Sequence, residues 1–270
     1  MRAAKEEDMA KTRDYMDYLD DNVKMAPATS QEEYQAAETI ANVLRDHKLE
    51  TSIEEFDAHP WGMVVPSVLV LIMFVCLIVA KFTTGPVRIA TLLVAILVAG
   101  LTIFVHYTGS DILRNLGPAV SSQNVVGIHR ATGSKVVKGA RPIVIVAHYD
   151  TPRVNFLRSG HLARYQSALR MVSIFCHMAV AVTVIFQLFP FVPEVLQTIM
   201  WVIGLVAMLP LLVLAVSDIY SRFSRYTAGS NDNKASVAAM LAIANKVRPM
   251  ADRVDDEIEK AGPDRAQRRR

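Results

Sequence analysis

Two short segments hold the residue types that can do chemistry, His148-Tyr149-Asp150 and Gly229-Ser230-Asn231-Asp232-Asn233. A neutral imidazole suits zinc, and a carboxylate two residues on can hold the other ring nitrogen and so fix the tautomer. His148 is therefore a candidate metal ligand and Asp150 its orienting partner. Asp232, at the start of a helical pattern, could bridge two metal ions through its two carboxylate oxygens. Metals paired about 3.5–4 Å apart activate water for attack on an amide. Gly229 serves the turn before that helix, whereas a phosphate cradle would want more glycines.

The elements that must position these residues follow from periodicity. The apolar run 143–147 predicts a buried strand that ends at His148. From Asn233 to about Val247 the spacing predicts a helix, with Val237, Met240, Leu241, Ala244 and Val247 as its buried stripe. Ser30 followed by Glu33 fits a capping box, and Tyr34, Ala37, Ile40, Ala41 and Leu44 continue it as an amphipathic helix ending near Asp46. Residues 51–56 and 123–128 read as strands, 134–140 as a turn, and Arg141-Pro142 as the entry to a third strand. Helix, three strands and helix make an α/β core in pieces.

Those pieces are interrupted by long apolar segments. The chain is 52% hydrophobic, and 61–80, 89–105, 171–193 and 195–217 contain no Asp, Glu, Lys or Arg. A bilayer core needs roughly 17–25 apolar residues per helix, so four spans are expected. They come as two hairpins, turning at Thr83-Thr84-Gly85-Pro86 and at Phe189-Pro190-Phe191-Val192-Pro193. Pro210 falls inside the fourth span, where it is expected to kink the helix. Each insert has an even number of spans, so every polar piece returns to one side and can join one domain. Residues 1–21 carry both charges and lack the apolar stretch of a signal peptide.

Orientation is read from Lys and Arg near span ends. The domain side has Arg45, Lys48, Arg114, Arg153, Arg158, Arg164, Arg170, Arg222, Arg225 and Lys234; the hairpin turns have Lys81 and Arg88. That bias predicts a cell-membrane protein with its polar domain in the cytoplasm. A net charge of +3 is mild, so the Arg-rich end reads as a solvated tail touching anionic lipid at most, not as a nucleic-acid site. Cys76 and Cys176 fall inside spans and read as small apolar residues. His177, inside the third span, reads as a hydrogen-bonding member of the bundle. His59, His106 and His161 lie near span ends or in loops, and Trp61 and Tyr107 suit interface anchors.

Taken together, Ile-Val-Ile-Val-Ala-His-Tyr-Asp-Thr-Pro at 143–152 and Gly-Ser-Asn-Asp-Asn-Lys-Ala-Ser-Val-Ala-Ala-Met-Leu at 229–241 resemble the co-catalytic di-zinc aminopeptidases. This is metallopeptidase family twenty-eight, with bacterial leucyl aminopeptidases and glutamate carboxypeptidase relatives. The helix from Ser30 and the segment Gln123-Asn124-Val125-Val126-Gly127 also look like the start of that domain. The resemblance covers most of the polar sequence and none of the spans. It implies that His148 binds one zinc, that Asp150 is the catalytic-site aspartate orienting it, and that Asp232 bridges two zinc ions. It also implies a peptide substrate.

The departures are specific. Soluble members keep the two motifs close, but here 82 positions separate Asp150 from Asp232. The family places a Glu-Glu pair, a further Asp and a final His after the bridging Asp. This chain has no Glu-Glu after Asp232 and no histidine after His177. Asp255-Asp256-Glu257 is the remaining acidic cluster and follows a charged stretch instead of a strand.

The expected fold is thus α/β, a partial zinc-exopeptidase-like domain interrupted by two transmembrane hairpins. The expected divisions are 1–60, first helix and strand; 61–107, first hairpin; 108–170, strands with His-x-Asp; 171–217, second hairpin; 218–248, helix with Asp232; and 249–270, charged tail. The expected function is a multi-pass membrane hydrolase of the zinc aminopeptidase type, incomplete and inactive as this chain alone. It would be a truncated enzyme, half of a two-chain enzyme, or a non-catalytic binding or scaffold protein. Its partners would be the bilayer, a peptide if the site is completed, and other copies through unpaired sheet edges.

Overall fold

The computed structural model describes residues 2–130 and 141–247, with side chains from residue 11 onward. The turn expected at 134–140, the tail 249–270 and its acidic cluster lie outside the described residues. The chain is mostly helical, at 66%, with two strands among the described residues. It divides into two compact units. Unit 1 holds Met1–Asp57, Ser121–Pro152 and Tyr226–Arg270; unit 2 holds Ala58–Val120 and Arg153–Arg225.

In unit 1, α1 (Arg2–Asn22) packs along α7 (Ala235–Val247), with α2 (Gln31–Asp46) against α7 as well. The cores of these helices meet at Leu19, Val23, Ile40, Leu44, Val237 and Leu241. Each fully buried Leu, Ile or Val adds about 1.5–3 kcal/mol relative to exposure, enough to hold a charged helix such as α1 in place. That helix lies in residues read from sequence only as polar. Ser30 caps α2 by accepting from the Glu33 N–H at 3.2 Å, and the Glu33 carboxylate accepts from the Thr29 N–H at 2.8 Å. Strands β1 (Glu50–Ala58) and β2 (Val120–Ile128) pair as a two-stranded sheet. Gly127 lets Leu44 and Leu49 press on β2, since an added Cβ would lie 3.1 Å and 3.2 Å from their methyls.

The third strand is a correction. Residues 141–150 form no strand, and the run expected to be buried is exposed, Ile143 at 91% and Val146 at 84%. The run has the β-branched composition of a strand, but strand structure is made by a hydrogen-bonded neighbour, and among the described residues none pairs here. The claim of an α/β peptidase-like sheet reduces to two strands amid helices.

In unit 2, α3 (Val65–Phe82), α4 (Gly85–Thr108), α5 (Ala163–Leu188) and α6 (Glu194–Phe223) are each long and apolar enough to cross a membrane. Each helix packs on two others, α3 on α4, α4 on α5, α5 on α6 and α6 on α3. Met73, Leu77, Leu92, Val180, Val184, Met208 and Leu211 fill the centre. The outward faces are equally apolar, with Leu97 at 67% and Phe175 at 64% exposure, as lipid-facing helices require. Close approach comes from small residues: a Cβ on Gly204 would lie 2.8 Å from the Thr183 hydroxyl. Helix α6 runs unbroken through Pro210, and both cysteines are free and buried.

Polar side chains tie the hairpin ends. Arg88 donates to Gln197 Oε1 at 2.6 Å, Lys81 to Thr198 Oγ1 at 2.9 Å, and the Trp201 indole to Leu77 O at 2.9 Å. Elsewhere in the unit, Arg222 stacks on the Trp61 ring at 4.4 Å, so this ring has a cation partner as well as an exposed face. His177 donates Nδ1–H to Ser173 O at 2.9 Å, within its own helix.

Candidate metal centre

Both motif segments belong to unit 1, and hydrogen bonds to other stretches of backbone fix them. After His148, Thr151 is pinned to the loop following α1: its N–H donates to Ala26 O at 2.8 Å, and its hydroxyl accepts from the Ala26 N–H at 3.0 Å. Pro152 O accepts from the Thr227 N–H at 2.9 Å, bringing the second segment alongside the first. Gly229 then turns in the left-handed region, φ +73°, and residues 230–234 wind as one wide turn before α7. Asp232 and Asn233 have non-helical φ/ψ, and the peptide between them is cis. The helix therefore begins at Ala235, two residues after its expected start, and Asp232 lies on the turn. At its far end Val247 is exposed instead of joining the buried stripe.

The turn brings Asp232 to His148. His148 Nε2 lies 3.2 Å from Asp232 Oδ1, and Nδ1 lies 3.1 Å from Asp150 Oδ1. Asn233 Nδ2 donates to His148 O at 3.2 Å, a second tie between the segments. The imidazole is thus held between two carboxylates, one at each ring nitrogen. All three side chains are partly open to solvent, at 51% for His148, 39% for Asp150 and 58% for Asp232, so a hydrated ion could approach.

Whether zinc fits can be asked of the spacing. Two ligands about 2.0–2.1 Å from one tetrahedral zinc stand about 3.3 Å apart, close to the Nε2–Oδ1 separation. The number of donors is the shortfall. Catalytic zinc sites use three protein ligands and structural ones four. Among the described residues no group of three or more His, Cys, Asp or Glu side chains converges as a ligand set. Two donors fall short of the three or four that a zinc site uses.

Around the pair lie groups that sequence reasoning missed. Lys234, the last residue of the turn, is buried, its ammonium 2.9 Å from Asp20 Oδ1 and 3.3 Å from Lys24 O. Nothing local marks this pair, since Asp20 and Lys234 come from opposite ends of the chain. Glu33, read as a capping residue, also accepts from the Ser122 hydroxyl at 3.1 Å. Tyr149 donates to Gln123 O, and burial pushes its phenol up to about 12.

Burial pushes the Glu33 carboxyl above its ordinary value of 4.5, and the charge of Asp150 adds to that, while the Thr29 N–H and Ser122 hydroxyl pull it back. The folded state then holds the proton more tightly than the unfolded chain does. Its stabilising contribution is full below the unfolded value and is lost as pH rises through the folded one. The stability of wild type relative to Glu33→Gln is therefore expected to increase on acidification toward 4.5. Urea titrations read by pulse proteolysis within unit 1 test this, and a pH-independent difference would contradict it.

No protein-family model, curated protein or solved structure matches this chain.

Proposed function

We propose that this chain is a membrane-anchored relative of the di-zinc aminopeptidases, presenting part of a zinc site and not hydrolysing peptides by itself. The observation that carries the reading is the His148 imidazole held between Asp150 and Asp232, with Nε2 and Asp232 Oδ1 spaced as two ligands of one zinc. Four helices able to cross a membrane agree with an anchored protein. The Lys and Arg bias at the span ends supports a cytoplasmic unit 1. Completion of the site by further ligands would make the substrate a peptide amino terminus.

The test is zinc affinity of the full chain in detergent, by competition titration and metal analysis. Wild type is expected to bind zinc, with His148→Ala and Asp232→Ala weakening it at least 100-fold. Asp150→Asn, which alters the imidazole's partner and leaves the ligands in place, is expected to cost about 10–100-fold. Equal affinity in all four proteins would sink the zinc reading. Hydrolysis of aminoacyl substrates by wild type, abolished in His148→Ala, would overturn the claim of inactivity.

The shortage of donors favours one second reading, a binding or scaffold module that has kept the peptidase-like segments without the chemistry. A wild type that binds no zinc at micromolar concentration yet stays folded and monodisperse would select it.

A further inference from the structure

Short turns at 83–84 and 189–193 join the apolar helices at one end of unit 2, so the starts of α3 and α5 and the ends of α4 and α6 share the other. That shared end carries seven arginines and no lysine, against two acids, Asp111 and Asp218, which leaves a net +5. The turn end has only Lys81 and Arg88 against Glu194, a net +1. The arginine end is also built, not merely composed. Residues 153–162 are docked on the end of α6: the Val154 N–H donates to Arg225 O at 2.9 Å, and the Ser217 hydroxyl to Asn155 Oδ1 at 2.6 Å. Phe156 meets Tyr220 edge-on, ring centroids 5.8 Å apart.

This docking seats Arg158 near enough to Asp218 for the two charges to act on each other, and Arg170 of α5 acts on the same carboxylate. One acid against two guanidiniums leaves positive charge over. Arg158, Arg164 and Arg170 are all exposed, and among the described residues none of them has an ion pair within 4 Å. Their depth names the partner. The charge-free part of α5 begins directly after Arg170, and Met171 and Phe175 stand 69% and 64% exposed. Arg164, six residues earlier, lies about 9 Å further out at 1.5 Å per residue, comparable with a headgroup layer about 5–8 Å thick. Interface-seeking rings accompany the cations, Tyr165 at 4.7 Å from Arg164 and Trp61 at 4.4 Å from Arg222. A guanidinium fork matches phosphate oxygens two at a time, which an ammonium does not. A zwitterionic headgroup brings its own cation to this positive end, whereas an anionic diester brings none.

We propose that this end of unit 2 is a binding surface for anionic glycerophospholipid, with Arg158, Arg164 and Arg170 holding headgroup phosphates and the acyl chains lying along the apolar outward face of α5. The surface rests on unit 2 residing in a bilayer. It is independent of the zinc reading, whose residues belong to unit 1.

The probe is phosphatidylglycerol, titrated against the full chain in detergent and counted as bound adducts by native mass spectrometry. Phosphatidylcholine with the same acyl chains is the reference. The first phosphatidylglycerol is expected to bind about 10-fold or more tighter than the first phosphatidylcholine. Replacing all three residues, Arg158→Gln, Arg164→Gln and Arg170→Gln, should reduce that preference to about 3-fold or less, and the corresponding triple change to Lys, which keeps charge and loses the fork, should fall between. Lys81→Gln, at the turn end, should leave it unchanged. Should the triple variants fail to fold, wild type still decides. Phosphatidylglycerol carrying a headgroup diazirine is expected to label peptides covering 156–172, and excess phosphatidylglycerol, but not phosphatidylcholine, should suppress that labelling. Equal binding of the two lipids, an unchanged preference in the triple Gln variant, or labelling centred on 81–88 overturns the proposal. Flotation with vesicles separates the two ideas: a chain that does not float overturns the membrane reading as well, and one that floats without lipid preference overturns this proposal alone.

Discussion

Gly229→Ala is expected to destabilise unit 1 by about 2–4 kcal/mol and to loosen the His148–Asp232 pair with it. Two independent terms add. The residue sits at φ +73°, where a Cβ costs about 1–2 kcal/mol against the neighbouring carbonyl. That Cβ would also stand 2.5 Å from Thr151 Cγ2, inside any van der Waals contact. Thr151 cannot swing away freely, because it is buried and its hydroxyl is held by the Ala26 N–H at 3.0 Å. Both tryptophans, Trp61 and Trp201, are in unit 2, so intrinsic tryptophan fluorescence does not report this unit. Hydrogen exchange of α7 amides in the intact chain does. Protection there is expected to fall about 30- to 700-fold, since each 1.4 kcal/mol is a factor of ten. A Thr151→Ser background removes Cγ2 and keeps the hydroxyl, so in it Gly229→Ala should cost only the conformational part. Equal cost in both backgrounds would mean the Thr151 contact contributes nothing.

Asp20→Ala is expected to be about as damaging, at roughly 2–4 kcal/mol, and worse than Lys234→Met. Lys234 is buried, with a side chain 4% exposed, and its ammonium has Asp20 as its anionic partner at 2.9 Å. Removing the carboxylate leaves a charge enclosed with one carbonyl, Lys24 O at 3.3 Å. Breaking a fully buried pair this way costs about 3–5 kcal/mol; the 43% exposure of Asp20 lets water enter and lowers the figure. Lys234→Met removes the buried charge itself and substitutes an apolar chain of similar length, so it should cost less. The double variant should then recover most of the loss seen in Asp20→Ala. The same α7 exchange measurement ranks all three. If Lys234→Met proved the more damaging single change, the pair would be stabilising the fold by direct attraction, against the desolvation account.

How much of this was legible beforehand depends on the range of the interaction. The α2 cap at Ser30 and the four apolar helices rest on neighbours within a few residues. Span length is a matter of composition alone, because a helix satisfies its backbone internally and only its side chains meet lipid. The run 143–147 shows the limit of such reasoning. Its residues suit a strand, yet they stand exposed, because strand structure requires a partner that no local pattern can supply.

The site divides in the same way. Residue types made His148, Asp150 and Asp232 candidates, and the two-residue step makes an Asp150 contact to the imidazole a local matter. Sequence spacing said nothing about Asp232, which reaches His148 across 84 positions through the Gly229 turn and the Thr227–Pro152 and Asn233–His148 bonds. The Lys234–Asp20 pair and the second role of Glu33 at Ser122 are of that kind too. By itself the sequence determined α2 with its Ser30 cap and the four long apolar helices, since these follow from periodicity and composition. The tertiary structure alone decided which acids and bases far apart in sequence meet, because such a pair is chosen by packing that brings distant segments within about 3 Å.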